Sequence, residues 1–403
     1  MTPPEHPDPV VHDWAPVPLP ATDFDPLPHR LLHEEPVARV RLPHGEGHAW
    51  LVTRYEDVKQ IASDPRLSRA LTVGRPITSM TPHTLAPPGG VGRADPPDHT
   101  RLRKLIAPTF GRRRMAALRA HTERTADALA LRTLGSGPPA DLAETFVGPL
   151  CATVTAELLG VPAADLDRVQ EWRAGVLSHE TTAAAGESVK KEIAGYFADL
   201  ARHRTDHPGD DLISELAAAR AAGALSTPEL VSMAVMLTLN GLDAVRNIVS
   251  TMVYVLLVHP DQTARLRADP ARLPRAVDEL LRYIPQRGGV GMPRVATADI
   301  EVGGVTVREG EAVYVFYPAA NRDPAVYTDP DRLDLDRDEA PHLAFGHGAH
   351  YCAGAQLARL EAEVMLATLL ARFPRLAPAV EPERIVWRTG TVNRGPETLP
   401  VTW

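Results

Sequence analysis

The sequence predicts one mainly helical domain with small β-sheets, spanning residues 1–403, and three observations carry that expectation. From about Pro97 to Phe373 apolar residues recur at spacings of three and four, in stretches such as 114–134, 188–205, 228–258 and 271–283, the period of helices that bury one face. Strand signals are confined to short runs bounded by turn residues. The alternating strand and helix rhythm of a doubly wound sheet is missing, and no repeat of solenoid length occurs.

Taken in order, residues 1–30 are rich in proline and lack periodicity, which predicts an irregular arm on the surface. Two short strands follow at 37–42 and 50–53, around the turn Gly45-Glu46-Gly47. The helical stretches then dominate until strand signals return at 300–316, where Gly303-Gly304 and Glu309-Gly310 mark turns, and the tail 384–403 again reads as strand and turn. Two cysteines exclude a disulfide framework, and the opening lacks the basic, apolar and small-residue pattern of a secretory signal. No apolar run reads as long enough to span a bilayer, so the expectation is a cytoplasmic monomer without a membrane. A net charge of -8 argues against nucleic acid as a general partner. The local cluster Arg112-Arg113-Arg114, together with Arg101, Arg103 and Lys104, reads equally as a docking face for an acidic electron donor or as a solvated run of charge.

The stretch richest in chemistry is Phe345-Gly346-His347-Gly348-Ala349-His350-Tyr351-Cys352-Ala353-Gly354, a glycine-rich loop carrying one cysteine just before a strongly helical segment. Glycines let such a backbone turn tightly and approach a flat ligand, and the free amides at the start of the next helix favour an anionic sulfur. Cys352 is therefore a candidate metal ligand, against the alternative of a small buried hydrophobe.

This loop resembles the cysteine-ligand loop of the cytochrome P-450 superfamily, F-G-x-G-x-H-x-C-x-G, and matching motifs run in family order from about residue 35 to the C-terminus. The resemblance implies the cytochrome P-450 fold, with haem b between a central long helix and the cysteine loop, and Cys352 on the iron. Phe345, Gly346 and Gly354 would frame the cofactor. Asp95-Pro96-Pro97-Asp98-His99-Thr100-Arg101-Leu102-Arg103 resembles the family's D-P-P-x-H-x-x-x-R, which assigns His99 and Arg103 to haem propionates; Arg294 and His350 match two further propionate donors. Glu279 and Arg282 match the E-x-x-R pair, a buried scaffold element whose third partner is Arg332 or Arg337. Ala320-Asn321-Arg322-Asp323-Pro324 matches a structural turn.

One motif departs from the pattern. Where the family has A-G-x-[D/E]-T in the central helix, with an acid and a threonine relaying protons to bound oxygen, this chain has Asn240-Gly241-Leu242-Asp243-Ala244. Asn240, Gly241, Asp243 and Ala244 are thus the catalytic candidates, with a hydroxyl donor missing at Ala244. Substrate groups, ordered water or Asn240 are the conceivable substitutes, and Asn240 serves equally well to satisfy helix carbonyls. By position, the pocket should include Ala86, Leu237, Asn240, Gly288, Val290, Met292, Thr391 and Val392, with Gln286 and Asn393 as further hydrogen-bonding groups; Arg287 reads as an outward-facing arginine, against the alternative that it meets a substrate carboxylate.

The resemblance implies an oxidoreductase fed by NAD(P)H through a ferredoxin and a ferredoxin reductase, acting on a bulky specialised metabolite. Hydroxylation or a related oxygenation is the first expectation. Oxidative C–C or C–N coupling of an aromatic or indole substrate, such as a tryptophan-containing cyclic dipeptide, is the alternative, and a haem-binding sensor or scaffold without turnover is the rival from another class. Peroxide-driven oxidation is disfavoured because Asp243 is retained.

Overall fold

The computed structural model describes residues 10–15, 17–82, 89–177 and 181–403. Helices make up most of it, and the predicted stretches form: Arg112–Ser136, Ala183–Asp206, Thr227–Val258 and Leu273–Tyr283, joined by Ala355–Arg372 after the cysteine loop. The central helix, Thr227–Val258, starts at a capping box in which the Ser226 hydroxyl accepts from the Glu229 amide and the Glu229 carboxylate accepts from the Ser226 amide. Its flanks pack on helices Gly148–Leu159, Ala183–Asp206 and Ala355–Arg372, and the largest apolar core lies among them.

This helix also corrects one expectation. Among the described residues it is long and apolar enough to cross a bilayer, but 76% of its most apolar window is buried inside the fold. A core helix covered on all sides needs the same composition as a membrane span.

The strands gather into a mixed six-stranded sheet, in the order Val11–Asp13, Val37–Arg41, Ala49–Val52, Ala312–Val315, Arg294–Ala296 and Leu67–Ser68. Gly303 and Gly304, with φ of 56° and 80°, make the turn of a separate hairpin, Ile300–Val302 with Val305–Val307, because positive φ at both positions matches the twist of the strands. The first arm is more regular than its composition predicts. Val11–Asp13 pairs in parallel with Arg39–Arg41, and Pro26–Glu34 is a helix capped by Asp25, whose other carboxylate oxygen accepts from the buried Trp14 indole at 2.8 Å. Pairing with a strand distant in sequence supplies the order that local periodicity cannot reveal.

One buried group in the helical core stands out. Glu361, on the helix after the cysteine loop, is 0% exposed, and neither carboxyl oxygen has a hydrogen-bond partner. Burial pushes its pKa well above the ordinary 4.5, and the neutral acid is the form that the core tolerates. The folded state therefore holds a proton that the unfolded chain releases near that ordinary value, so stability is full below it and falls as pH rises toward the folded pKa. Glu361→Gln keeps the shape and removes the charge. The variant should unfold at a higher temperature than the parent at about pH 8, with the gap closing toward about pH 5 at no more than about 1.4 kcal/mol per pH unit. Calorimetric melting at both pH values checks this, and an equal offset at both would show that Glu361 carries no titration.

Candidate active site

The cysteine loop is built as its glycines require. Gly346 and Gly348 have φ of 78° and 73°, and a Cβ on Gly348 would lie 2.6 Å from the Ala62 carbonyl oxygen, so the loop can rest against helix Tyr55–Ser63 only through glycine. The Cys352 amide donates to the Phe345 carbonyl at 2.8 Å, closing the loop beneath Gly346. Cys352 is exposed, yet protein crowds its sulfur: burial pushes the thiol pKa up, while the Gly354 amide and the charges of Arg103, Arg287 and Arg359 pull toward thiolate. Phe345 stacks under the Arg359 guanidinium, 4.7 Å from the ring centre, and Arg359 is anchored on Asp278 at 2.8 Å.

Cations converge on the same region. His99 and Arg103 share helix Asp98–Ile106, Arg294 opens the strand Arg294–Ala296, and His350 ends the short turn Gly348–His350. The His99 and His350 rings are 4.3 Å apart. Burial lowers the His99 pKa, with Arg103 and Arg69 adding to it; burial also brings His350 down to about 2, with Arg69, His99 and Arg294 pressing the same way. Several buried donor atoms here have no partner: His99 Nε2, both Arg294 Nη atoms and Arg69 Nε. Among the described residues none of Arg69, Arg103, Arg287 and Arg294 forms an ion pair. Buried cations without counter-charge are costly, and a planar ligand bearing two carboxylates would satisfy these donors while a thiolate took its metal. The residues present fit a haem.

Arg69 in this cluster carries no sequence signal that marks it as a site residue, and Arg287 carries one only through its place in a pocket segment. Arg69 lies at the end of strand Leu67–Ser68, where its Nη1 donates to the Gly92 carbonyl at 3.1 Å, and burial with the Arg294 and Arg287 charges pushes its pKa down to about 9. Arg287 is exposed, as the sequence suggests, yet its guanidinium stands near the cysteine loop: burial lowers its pKa, and Cys352 and Tyr317 are the groups that oppose the shift. Arginine remains charged in such surroundings, so both add positive charge beside the cysteine loop.

In the central helix, Asn240 and Ala244 are exposed and Asp243 is buried at 2%. Asn240 Nδ2 donates to the Met236 carbonyl at 2.7 Å, so its amide is engaged by its own helix one turn earlier. Gly241 permits close packing, since a Cβ there would lie 2.9 Å from Thr155 Cγ2 on helix Gly148–Leu159. Asp243 accepts from Asn393 Nδ2 at 3.0 Å and from Arg388 Nη1 at 3.2 Å, both on the C-terminal hairpin.

The predicted pocket segments partly meet. Gly92 sits beside Met236 and Met292, and Gly90 beside Ser232, bringing residues 90–92 onto the central helix. Leu237, Gly288, Met292 and Thr391 are half-buried, and a Cβ on Gly288 would lie 3.5 Å from the Thr391 carbonyl oxygen. Val290 and Val392 are instead buried, at 4% and 6%, and Val290 packs in the apolar core with Met80 and Tyr314. The Val392 carbonyl accepts from the Gly288 amide at 3.1 Å, and Gln286 Nε2 is directed at the Leu281 carbonyl, 3.4 Å away. Ala86 lies outside the described residues.

The Glu279 and Arg282 pair is buried, 4% and 3% exposed, with Nε to Oε2 at 2.6 Å and Nη2 to Oε1 at 2.9 Å. The third partner is Arg337, whose Nε reaches Glu279 Oε1 at 3.2 Å, while Arg332 offers only its carbonyl. The turn Asn321-Arg322-Asp323 is buried and holds backbone: Asn321 Oδ1 accepts from the Leu343 amide at 2.7 Å and Asp323 Oδ2 from the Tyr55 amide at 2.9 Å.

Comparisons with known proteins agree with this geometry. The family model described as Cytochrome P450 matches residues 178–399. Biflaviolin synthase CYP158A1 of Streptomyces coelicolor is 45% identical over 98% of this chain and 97% of its own length, and nocardicin C N-oxygenase of Nocardia uniformis is 46% identical over 95% and 96%. Among solved structures, cytochrome P450mel 107F1 with biaryl coupling reactivity superimposes with a TM-score of 0.93 at 42% identity, covering 98% of this chain and 100% of that one. The chain belongs to the cytochrome P450 family of haem-iron oxidoreductases.

Proposed function

We propose that this protein oxidises an acidic aromatic specialised metabolite, using haem b held through Cys352, and that its reaction joins two such molecules by a carbon–carbon bond. The observation that carries the substrate class is the neighbouring pair Arg69 and Arg287, half-buried and exposed respectively beside the cysteine loop, charged and without ion-pair partners among the described residues. A phenolate or ring carboxylate would relieve both. One of the structures compared above is described as having biaryl coupling reactivity, and one relative is named biflaviolin synthase.

When bound, haem iron supplies activation of dioxygen with electrons delivered from outside. The chain's own residues divide the remaining roles. Cys352 would donate its thiolate, held by the Gly354 amide; His99, Arg103, Arg294 and His350 would take the two carboxylates of the cofactor; the Asp243 carboxylate stands in the groove of the central helix as the group that would relay protons. Ala244 offers no hydroxyl, and a phenolic substrate brings its own. The sum balances as two aryl C–H groups, one dioxygen, two electrons and two protons giving one aryl–aryl bond and two waters. Electrons would come from NAD(P)H through a ferredoxin and its reductase in the cytoplasm, for which the exposed Lys104, Arg112 and Arg113 form a basic face, Arg114 being tied to Asp210 at 2.7 Å.

Oxygenation is the second reading, favoured by the relative named as an N-oxygenase; it consumes the same dioxygen, electrons and protons but places one oxygen atom in the product and one in water. Turnover of a polyhydroxynaphthalene and, separately, of a tryptophan-containing cyclic dipeptide, with mass analysis, separates the readings. Coupling gives twice the substrate mass less two hydrogens, oxygenation one added oxygen. Arg287→Ala should weaken binding of the acidic aromatic by about ten- to hundredfold in a spectral titration, and leave a neutral methyl-ether analogue nearly unaffected; equal losses for both would refute the anion-binding role.

A further inference from the structure

The C-terminal hairpin does more than wall the pocket. Its arms run from Trp387 to Pro396, closed by a bridge between those residues and by the Arg388 amide donating to the Gly395 carbonyl at 3.0 Å. One side pairs with the pocket segment: Arg287 and Asn393 form a bridge, and the Arg394 amide donates to the Gln286 carbonyl at 3.0 Å. The other side presses on the central helix, where Gly395 comes so close to Asn247 that a Cβ would lie 2.7 Å from its side chain. Arg394 then fastens the hairpin to the first arm, donating to the carbonyls of Asp23 at 2.7 Å and Leu19 at 3.1 Å. Between these fixed points the two side chains Arg388 and Asn393 grip the Asp243 carboxylate, one on each oxygen.

A buried carboxylate in the central helix has several rotamers, and what decides its place is the set of donors around it. Here both of these donors belong to one hairpin, and one of them, Asn393, is bridged through its backbone to Arg287. We propose that Arg388 and Asn393 are positioning residues for Asp243, fixing the groove acid from the same hairpin that forms the pocket wall. The inference rests on the reading above in which the Asp243 carboxylate relays protons for the reaction. It assigns specific work to Arg388, which no sequence feature marks, and to Asn393, expected only as a pocket hydrogen-bonding group, and it makes the acid's position depend on how the Arg287 side of the pocket is seated.

The test is a double-mutant cycle on the haem-loaded protein, with Asn393→Ala, Arg388→Ala and Arg388→Lys, each alone and combined with Asp243→Asn. Readouts are the fraction of NAD(P)H electrons recovered in product, the solvent deuterium isotope effect on turnover, and the thermal unfolding midpoint. Asn393→Ala and Arg388→Ala should each lower electron recovery by about five- to tenfold and change the isotope effect, Arg388→Lys should restore part of the loss, and neither alanine should cause a further loss once Asp243 is Asn. Losses that simply multiply in the Asp243→Asn background would overturn the positioning role while leaving the acid's role intact. An Asp243→Asn protein with full electron recovery and an unchanged isotope effect would instead remove the reading on which the proposal rests. Should Arg388→Ala lower the unfolding midpoint sharply, the cycle with Asn393→Ala and Arg388→Lys alone decides the matter.

Discussion

Cys352→Ala should yield a folded protein whose reduced carbon-monoxide complex lacks the thiolate-type absorption band altogether. The substitution is small and the residue exposed, so the cost in stability should stay below about 1 kcal/mol. Product formation should fall by more than the roughly 10- to 100-fold that loss of an outer-shell partner costs, because the thiolate that would hold the metal is itself removed. The chain makes this test unusually clean, since it holds only one other cysteine. Cys151 is 1% exposed in the core of helix Gly148–Leu159, and burial together with the nearby Glu361 raises its thiol well above the ordinary range, away from thiolate. Cys151→Ala should therefore retain the band at full intensity. A band that survives in Cys352→Ala and vanishes in Cys151→Ala would reverse the ligand assignment.

What was legible in the sequence follows a physical division. Cys352 and its glycines could be read because the loop's conformation is a local demand: positive φ and backbone approach need glycine at fixed positions. His99 and Arg103 could be read because one helix carries both. Arg69 and Arg388 could not, and Asn393 and Arg287 only as loose pocket candidates, since each reaches the site from a loop or strand end whose placement depends on pairing across the whole chain. A lone arginine near a turn has no local mark that separates an inward charge from a solvated one. Glu361 was hidden for the converse reason: within an apolar helix period it looks like one polar position among others, and only three packed helices reveal that no partner reaches it. The strand and helix within the first thirty residues were likewise lost in a proline-rich composition, although Asp25 before Pro26 is a helix-start signal that points to the helix.

Arg282→Ala should be the most destabilising of these substitutions, at about 3–5 kcal/mol, with Glu279→Ala somewhat milder. The ranking comes from what each deletion leaves behind. Without Glu279, Arg282 still donates to the Asn321 and Pro330 carbonyls, each at 2.8 Å, and Arg337 keeps Glu339 and the Thr328 carbonyl. Without Arg282, those two carbonyls lose their buried donor and Glu279 keeps only the Asp334 amide at 3.0 Å and Arg337 at 3.2 Å. The loss also travels toward the site: Asn321, whose carbonyl Arg282 holds, orients its own Oδ1 on the Leu343 amide two residues before Phe345. Arg282→Ala should accordingly lower haem retention along with stability, and Arg282→Lys should rescue little, because an ammonium cannot serve two carboxylate oxygens and two carbonyls as the planar fork does. Denaturant unfolding of the three variants, with haem content measured on the same samples, checks both points. Losses of about 1 kcal/mol or less, the usual worth of an exposed ion pair, would show that the pair does not hold the cysteine loop in place.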